Sequence, residues 1–204
     1  MNTTPSLQQS SYWERRYELF ARFDDGIQMD VESLYSVTPE IIAMEQASLI
    51  HGRTVLDLFC GVGGNSIAFA RSGKSVIAVE SNAQRITMAK HNASIYGVES
   101  QITFINQTAE QFLYSFDFSS IDVLFLDPPW GGPFYTTKKQ FTLNDFSSNV
   151  QTTLECAIQT ATEILLKVPK QFDVDTLLSY GRPYRTIPHY TNNQLIFLSI
   201  HFYV

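Results

Sequence analysis

Strands alternating with helices, a glycine-rich turn after the first of those strands, and an acidic residue closing the second predict an α/β fold. The expected form is a Rossmann-like sheet of seven strands, mostly parallel, with helices on both faces and an antiparallel last strand. A helical N-terminal arm should precede it. With 204 residues there is room for one domain with a full core and little room for two. The chain therefore reads as a single domain, with the arm over 1–50 and the core over 51–204.

Residues 11–23, SYWERRYELFARF, mix apolar and charged positions at helical spacings and predict an amphipathic helix. Asp24-Asp25-Gly26 reads as a turn. A second helix is expected over 39–50, with Thr38 as N-cap and Pro39 at the first helical position. RTVLDLF (53–59) is the first strand, and a helical run follows the glycines to about residue 71. KSVIAVE (74–80) is the second strand, and the helix over about 82–96 ends near Gly97. QITFINQ (101–107) and the strongly apolar IDVLFLD (121–127) are the third and fourth strands. A helix over 144–160, a fifth strand over 163–168 and a short helix over 173–180 come next. The chain closes on two antiparallel strands around Asn192-Asn193, a dipeptide suited to a tight turn. In such sheets ligands sit at the C-terminal strand ends near the topological switch point, so the chemistry should follow strands one, two and four.

Composition narrows the function. The net charge is −6, from 14 Lys+Arg against 20 Asp+Glu. Proteins that grip long nucleic acid nonspecifically are usually basic, so a nucleic-acid ligand here should be small or recognised at one end. Lys138, Lys139, Lys167 and Lys170 are candidates for a local basic patch. No apolar run approaches the ~18–20 residues of a membrane span. The opening MNTTPSLQQSSYWERR lacks the order of a secretory signal. Cys60 and Cys156 lack metal-ligand spacing, and the four histidines form no cluster in sequence, so neither disulfide nor metal is expected.

After strand one comes Asp57-Leu58-Phe59-Cys60-Gly61-Val62-Gly63-Gly64-Asn65. Glycines there allow close backbone approach to a ligand and leave helix N–H groups free. The full G-x-G-x-x-G fingerprint fails, because Ser66 holds the third glycine position. Glu80, 23 residues after Asp57, can accept hydrogen bonds from both ribose hydroxyls of an adenosine cofactor. After strand four comes Asp127-Pro128-Pro129-Trp130-Gly131-Gly132. The prolines stiffen the loop and stop the ladder. The loop offers a carboxylate, the Pro128 carbonyl and an aromatic face. Two acceptors aimed at the N–H groups of an exocyclic amine would localise its lone pair, which is preorganisation for methylation of a nucleobase amine.

DLFCGVGGNSIAFA (57–70), DPPWGGPFY (127–135), FDDGIQMD (23–30) and YSVTPE (35–40), in this order and spacing, resemble the trimethylguanosine synthase family of RNA cap hypermethylases. The resemblance runs from about Ser11 to the end of the chain. It implies a class I methyltransferase that uses S-adenosylmethionine to methylate guanine N2 of a 7-methylguanosine cap, giving 2,7-dimethyl- or 2,2,7-trimethylguanosine. A 7-methylated guanine is cationic, and Trp130 offers the best aromatic face for a cation. By resemblance, Ser36 and Thr38 contact the donor's carboxylate. Asp57, Phe59 and Gly61 border the donor, and Glu80 holds its ribose. Thr108 and Ala109 stand at its adenine, and Asp127 lies beside its sulfonium. Asn92 is the expected contact to the base and Lys170 to the cap phosphates, while Asp127, Pro128 and Trp130 form the catalytic set. The resemblance also implies a monomer without metal, nuclear or cytoplasmic.

Four positions depart from the family pattern. Asp127 stands where relatives commonly have Ser, Thr108 where they often have Asp, Gln28 where they have Lys, and Lys170 where they often have Arg. The last two weaken phosphate recognition. The competing readings are an N2-guanine, N6-adenine or N4-cytosine methyltransferase on other RNA or DNA, and a catalytically inactive cap-binding module.

Overall fold

The computed structural model describes residues 12–203. β1 (Thr54–Asp57), β2 (Ser75–Glu80), β3 (Ile102–Asn106), β4 (Val123–Leu126), β5 (Glu163–Pro169), β6 (Tyr184–Thr191) and β7 (Gln194–Phe202) form one sheet in the order β3-β2-β1-β4-β5-β7-β6. β1 to β5 pair in parallel, and β7 is antiparallel to both β5 and β6. Only β7 therefore runs against the rest. The strand order reverses between β1 and β4, which opens a crevice at their C-terminal ends.

The fourth strand shows how the sequence builds two layers. All four of its residues are buried. Val123 and Phe125 join the core on one face, with α3 (Glu40–Leu49), α4 (Gly64–Arg71) and α5 (Ala83–Ile95). Leu124 and Leu126 join the core on the other, with α6 (Ala109–Ser115) and α7 (Val150–Thr160). Side-chain alternation along the strand thus supplies both cores at once.

The alternating core follows the sequence closely, and Asn192 and Asn193 take the left-handed conformation that joins β6 to β7. The arm does not. The helix expected over 11–23 is broken into a 3₁₀ turn, the four-residue α1 (Arg16–Leu19) and a second 3₁₀ turn over Phe23–Asp25; Ser11 lies outside the described residues. The arm's aromatic and arginine residues pack on one another instead, with Arg16 over the rings of Trp13 and Tyr17. Pro39, not Thr38, holds the N-cap position of α3, and it makes no side-chain cap. The helix expected over 144–160 starts at Val150, where Asn149 caps it, after a separate 3₁₀ turn over Leu143–Asp145. The segment expected as a short helix over 173–180 is 3₁₀, ending at the left-handed Gly181.

Three clasps hold the arm to the core. Glu40 accepts from the Ala21 amide at 2.7 Å and from the Tyr96 hydroxyl, and pairs with Arg71. Arg85 pairs with Asp30 at 2.7 Å and with Glu32. Asn92 bonds both backbone groups of Gln28 at 2.8 Å.

Candidate active site

A cavity of about 630 Å³ opens over the C-terminal ends of β1, β2, β4 and β5, with the arm forming one wall. This volume suits a nucleoside-sized ligand.

At the β1 end, burial under the glycine loop pushes the Asp57 carboxyl up to about 7. It accepts from the Ser66 hydroxyl at 2.7 Å and from the Phe59 amide at 3.4 Å. The broken glycine fingerprint thus has a use: a glycine at 66 would leave the buried carboxyl without that donor. Gly63 takes a φ of +95°, which strains any side chain, and a Cβ there would lie 3.2 Å from the Ala89 side chain, so backbone and packing against α5 both favour glycine. Glu80 closes β2, with its carboxylate fixed by the amides of Gly61 at 3.1 Å and Asn82 at 2.8 Å. Oε1 also accepts from the Ser81 hydroxyl at 3.2 Å, while Oε2 accepts from Gly61 alone among the described residues and keeps lone-pair capacity. Phe59 and Gly61 line the same end.

Ser36, the last residue of α2 (Ser33–Ser36), and Thr38 line the opposite wall. Thr38 is buried, and its hydroxyl accepts from the Lys167 ammonium at 2.9 Å. Thr108 and Ala109 line the cavity below β3. The Thr108 hydroxyl is spent on a capping box with Gln111, where it accepts the N3 amide of α6. It therefore caps its helix, and the backbone here is left to face a ligand.

At the β4 end, Asp127, Pro128 and Trp130 all line the cavity. Ser147 pins the loop, donating its amide at 3.2 Å and its hydroxyl at 3.0 Å to the Pro129 carbonyl. The Trp130 ring meets Tyr135 edge-on, with centroids 4.9 Å apart. Burial pushes the Asp127 carboxyl above its ordinary value, against the opposing pull of the Lys167 ammonium 2.7 Å away. Lys170 is exposed at the cavity mouth, one residue past β5.

Two expectations change. Asn92 is not part of the cavity lining; it is fully buried, and its amide also donates to the Val62 carbonyl at 3.0 Å. Its placement is that of a clasp between the arm and the glycine loop rather than of a wall residue. Lys167 is no part of a basic patch, being 3% exposed on β5. The sequence carried one signal for it: a charged residue set in the middle of the apolar run ILLKVP. Sequence reasoning also missed Ser148 and Gln171, which line the cavity from distant segments.

Three buried polar atoms of the lining lack a hydrogen-bond partner among the described residues: Trp130 Nε1, Ser148 Oγ and Gln171 Oε1. Buried polar groups are rarely left unpaired, so the lining at this end holds polar groups that the fold itself does not satisfy. An adenosine-bearing donor fits the other end, where a fixed carboxylate and a glycine loop stand ready.

The sheet order with β7 alone reversed, and a glycine loop and acidic strand end facing an Asp-Pro-Pro-Trp loop, define a class I methyltransferase that takes S-adenosylmethionine. The delta-N METTL16 methyltransferase domain has the same fold, with a TM-score of 0.69 at 14% identity over 97% of this chain and 99% of that one. The model of the RNA cap guanine-N2 methyltransferase family matches residues 52–194, and the chain belongs to that family. Trimethylguanosine synthase of Schizosaccharomyces pombe is 39% identical over 189 residues, 86% of this chain and 78% of the relative. The enzyme of the same description in Saccharomyces cerevisiae is 31% identical over 176 residues, 81% of this chain but 56% of that relative's length. The protein is thus an S-adenosylmethionine-dependent methyltransferase acting on RNA caps, and the readings as an enzyme for other RNA or DNA or as an inactive module are not favoured.

Proposed function

We propose that the substrate is the 7-methylguanosine cap, that N2 of its guanine receives one or two methyl groups, and that Trp130 selects it. The observation that carries this reading is the placement of Trp130 on the cavity wall in one short loop with Asp127 and Pro128, across from the glycine loop. A 7-methylated guanine is a flat cation. Stacking on Trp130 is worth ~1–2 kcal/mol more for it than for neutral guanine when desolvated.

S-adenosylmethionine supplies an electrophilic methyl group on a sulfonium. The chain's residues do the rest. Glu80 accepts from the ribose hydroxyls, and Ser36 and Thr38 face the methionine carboxylate. Asp57 holds the loop of Phe59 and Gly61 against the donor, and the backbone at Thr108 and Ala109 borders the adenine. Asp127 and the Pro128 carbonyl accept from the two N–H groups of N2, which turns its lone pair toward the donor. As the N–CH3 bond forms the S–CH3 bond breaks, S-adenosylhomocysteine leaves, and one N2 proton passes to Asp127 or to water. Trp130 fixes the base plane, and Lys170 at the mouth meets the cap phosphates. The acidic chain suits a chain-end substrate. A monomer acting in the nucleus, without metal, goes with this reading.

The test compares a 7-methylguanosine dinucleotide cap with its unmethylated counterpart as methyl acceptor. The reading predicts a preference of about tenfold or more in kcat/KM for the 7-methylated cap. Equal turnover on both would overturn it.

A further inference from the structure

Lys167 has no part in the mechanism above, yet its ammonium sits in the wall of the cavity that performs it. It points three donors at three acceptors: Asp127 Oδ2 at 2.7 Å, the Thr38 hydroxyl at 2.9 Å and the Ser36 carbonyl at 3.3 Å. Aromatic rings complete its surroundings, Phe197 at 4.8 Å and Trp130 at 5.5 Å. Its side chain is 4% exposed and that of Asp127 19%. The register explains the meeting. Leu126 pairs with Leu166 across β4 and β5, so the next residue on each side is the carboxylate and the ammonium.

A buried ion pair of this kind gains little stability over apolar residues of the same shape, because desolvation offsets the attraction. Its place in the molecule is more informative. On the functional reading above, on which this inference rests, the cavity receives two cations, a sulfonium and a 7-methylated guanine. A lone ammonium in the wall would repel both. A lone carboxylate would attract both, before reaction as well as during it, and attraction of that kind does not speed the chemical step. Only Oδ2 of Asp127 is bound to Lys167; Oδ1 has no hydrogen-bond partner among the described residues.

We propose that Lys167 is a charge-setting positioning residue for Asp127. It holds one carboxylate oxygen and leaves the other for the substrate amine. It also makes the pair neutral toward the cations that enter, so the acceptor strength of a carboxylate is kept without its net charge. The same ammonium ties the Ser36–Thr38 segment of the arm to the amine site, so donor wall and acceptor loop are set by one group. The aspartate that departs from the family pattern is then half of a two-residue unit.

The comparison of a cationic with a neutral ligand reads the charge of this wall. S-adenosylmethionine carries the sulfonium; S-adenosylhomocysteine is the same molecule with a neutral thioether. Calorimetry at about pH 8 would give the ratio of their affinities for the wild type, Lys167→Met, Asp127→Asn and the double variant. Lys167→Met shifts the ratio toward the cation by about tenfold and Asp127→Asn away from it by about tenfold, the size expected of one nearby charge in a half-buried wall. The double variant returns to within about threefold of wild type, so the single effects cancel. Where a single variant does not fold, Asp127→Ser replaces Asp127→Asn and Lys167→Gln replaces Lys167→Met, each with the same expected direction of shift. A ratio that stays constant while both affinities fall together makes the pair a structural tie only and overturns the proposal. A wild type that binds neither ligand would instead count against the methyl-transfer reading itself.

Discussion

Around the glycine loop the chain satisfies its own charges. Asp57 is held by Ser66 and the Phe59 amide, and Glu80 by the Gly61 and Asn82 amides, all from residues near in sequence or on the adjoining strand. Around Trp130 the reverse holds. Trp130 Nε1, Ser148 Oγ and Gln171 Oε1 are buried and unpartnered, and the one strong pairing, Asp127 with Lys167, joins residues 40 apart in sequence. The donor end is paired within itself, whereas the base end keeps unpaired groups. The first arrangement suits one invariant cofactor. The second suits discrimination among bases, because Asp127 Oδ1 is within reach of the cavity and a base that cannot donate to it leaves it unpaired at ~1–3 kcal/mol.

The two ends should therefore fail differently when cut. Trp130→Ala is expected to lower kcat/KM on a 7-methylated cap by about 100-fold or more while donor affinity stays within about threefold, measured by steady-state kinetics and calorimetry. Glu80→Ala should do the opposite, weakening donor binding by about 30-fold through lost charge-assisted hydrogen bonds, with cap affinity little changed. If both variants lowered both affinities equally, the division of the cavity into two ends would be wrong.

A second cut separates ligand contact from scaffold. Asn92→Ala removes three buried hydrogen bonds and should cost ~2–3 kcal/mol of stability in denaturant melts. The cap preference should persist in the folded fraction, because Asn92 is walled off from the cavity. Loss of the preference for 7-methylated cap without loss of stability would return Asn92 to the base site.

The last effect is one of pH. Asp57 titrates at about 7 in the fold against 3.8 in the unfolded chain, so the native state binds the extra proton between those values. Stability then declines as pH rises from about 4 to 7, and this contribution is lost by the upper end of that window. Asp57→Asn should show a shallower decline than wild type across the same range, read as unfolding free energy at several pH values. Parallel curves would mean that Asp57 is not the group responsible.

The difference between the ends also explains what could be read in advance. Asp57, Gly61 and Glu80 belong to one local unit of strand, loop and strand, whose spacing is fixed by the fold class and is therefore visible in sequence. Asp127, Pro128 and Trp130 were visible because prolines after an apolar strand have few structural uses. Lys167 was not. Its partners lie at 36, 38 and 127; the strand register brings Asp127 to it, and the wrap of the arm brings Ser36 and Thr38. Asn92 misled because a polar residue late in a helix looks exposed; the fold buries that face under the arm, where its amide matches the Gln28 backbone. The arm itself was read as one helix from its apolar spacing, but Arg16 stacking on aromatic rings and the left-handed Gly26 turn it instead into short pieces that wrap the core.

The account stands or falls on where the methyl group goes. Mass analysis of the product formed from a 7-methylguanosine dinucleotide cap and S-adenosylmethionine, with fragmentation to separate base from ribose, tests it most directly. The account predicts one or two added methyl groups, all on the exocyclic N2 of the 7-methylated guanine. Methyl groups found on the ribose, or on the second nucleotide's base, would contradict it.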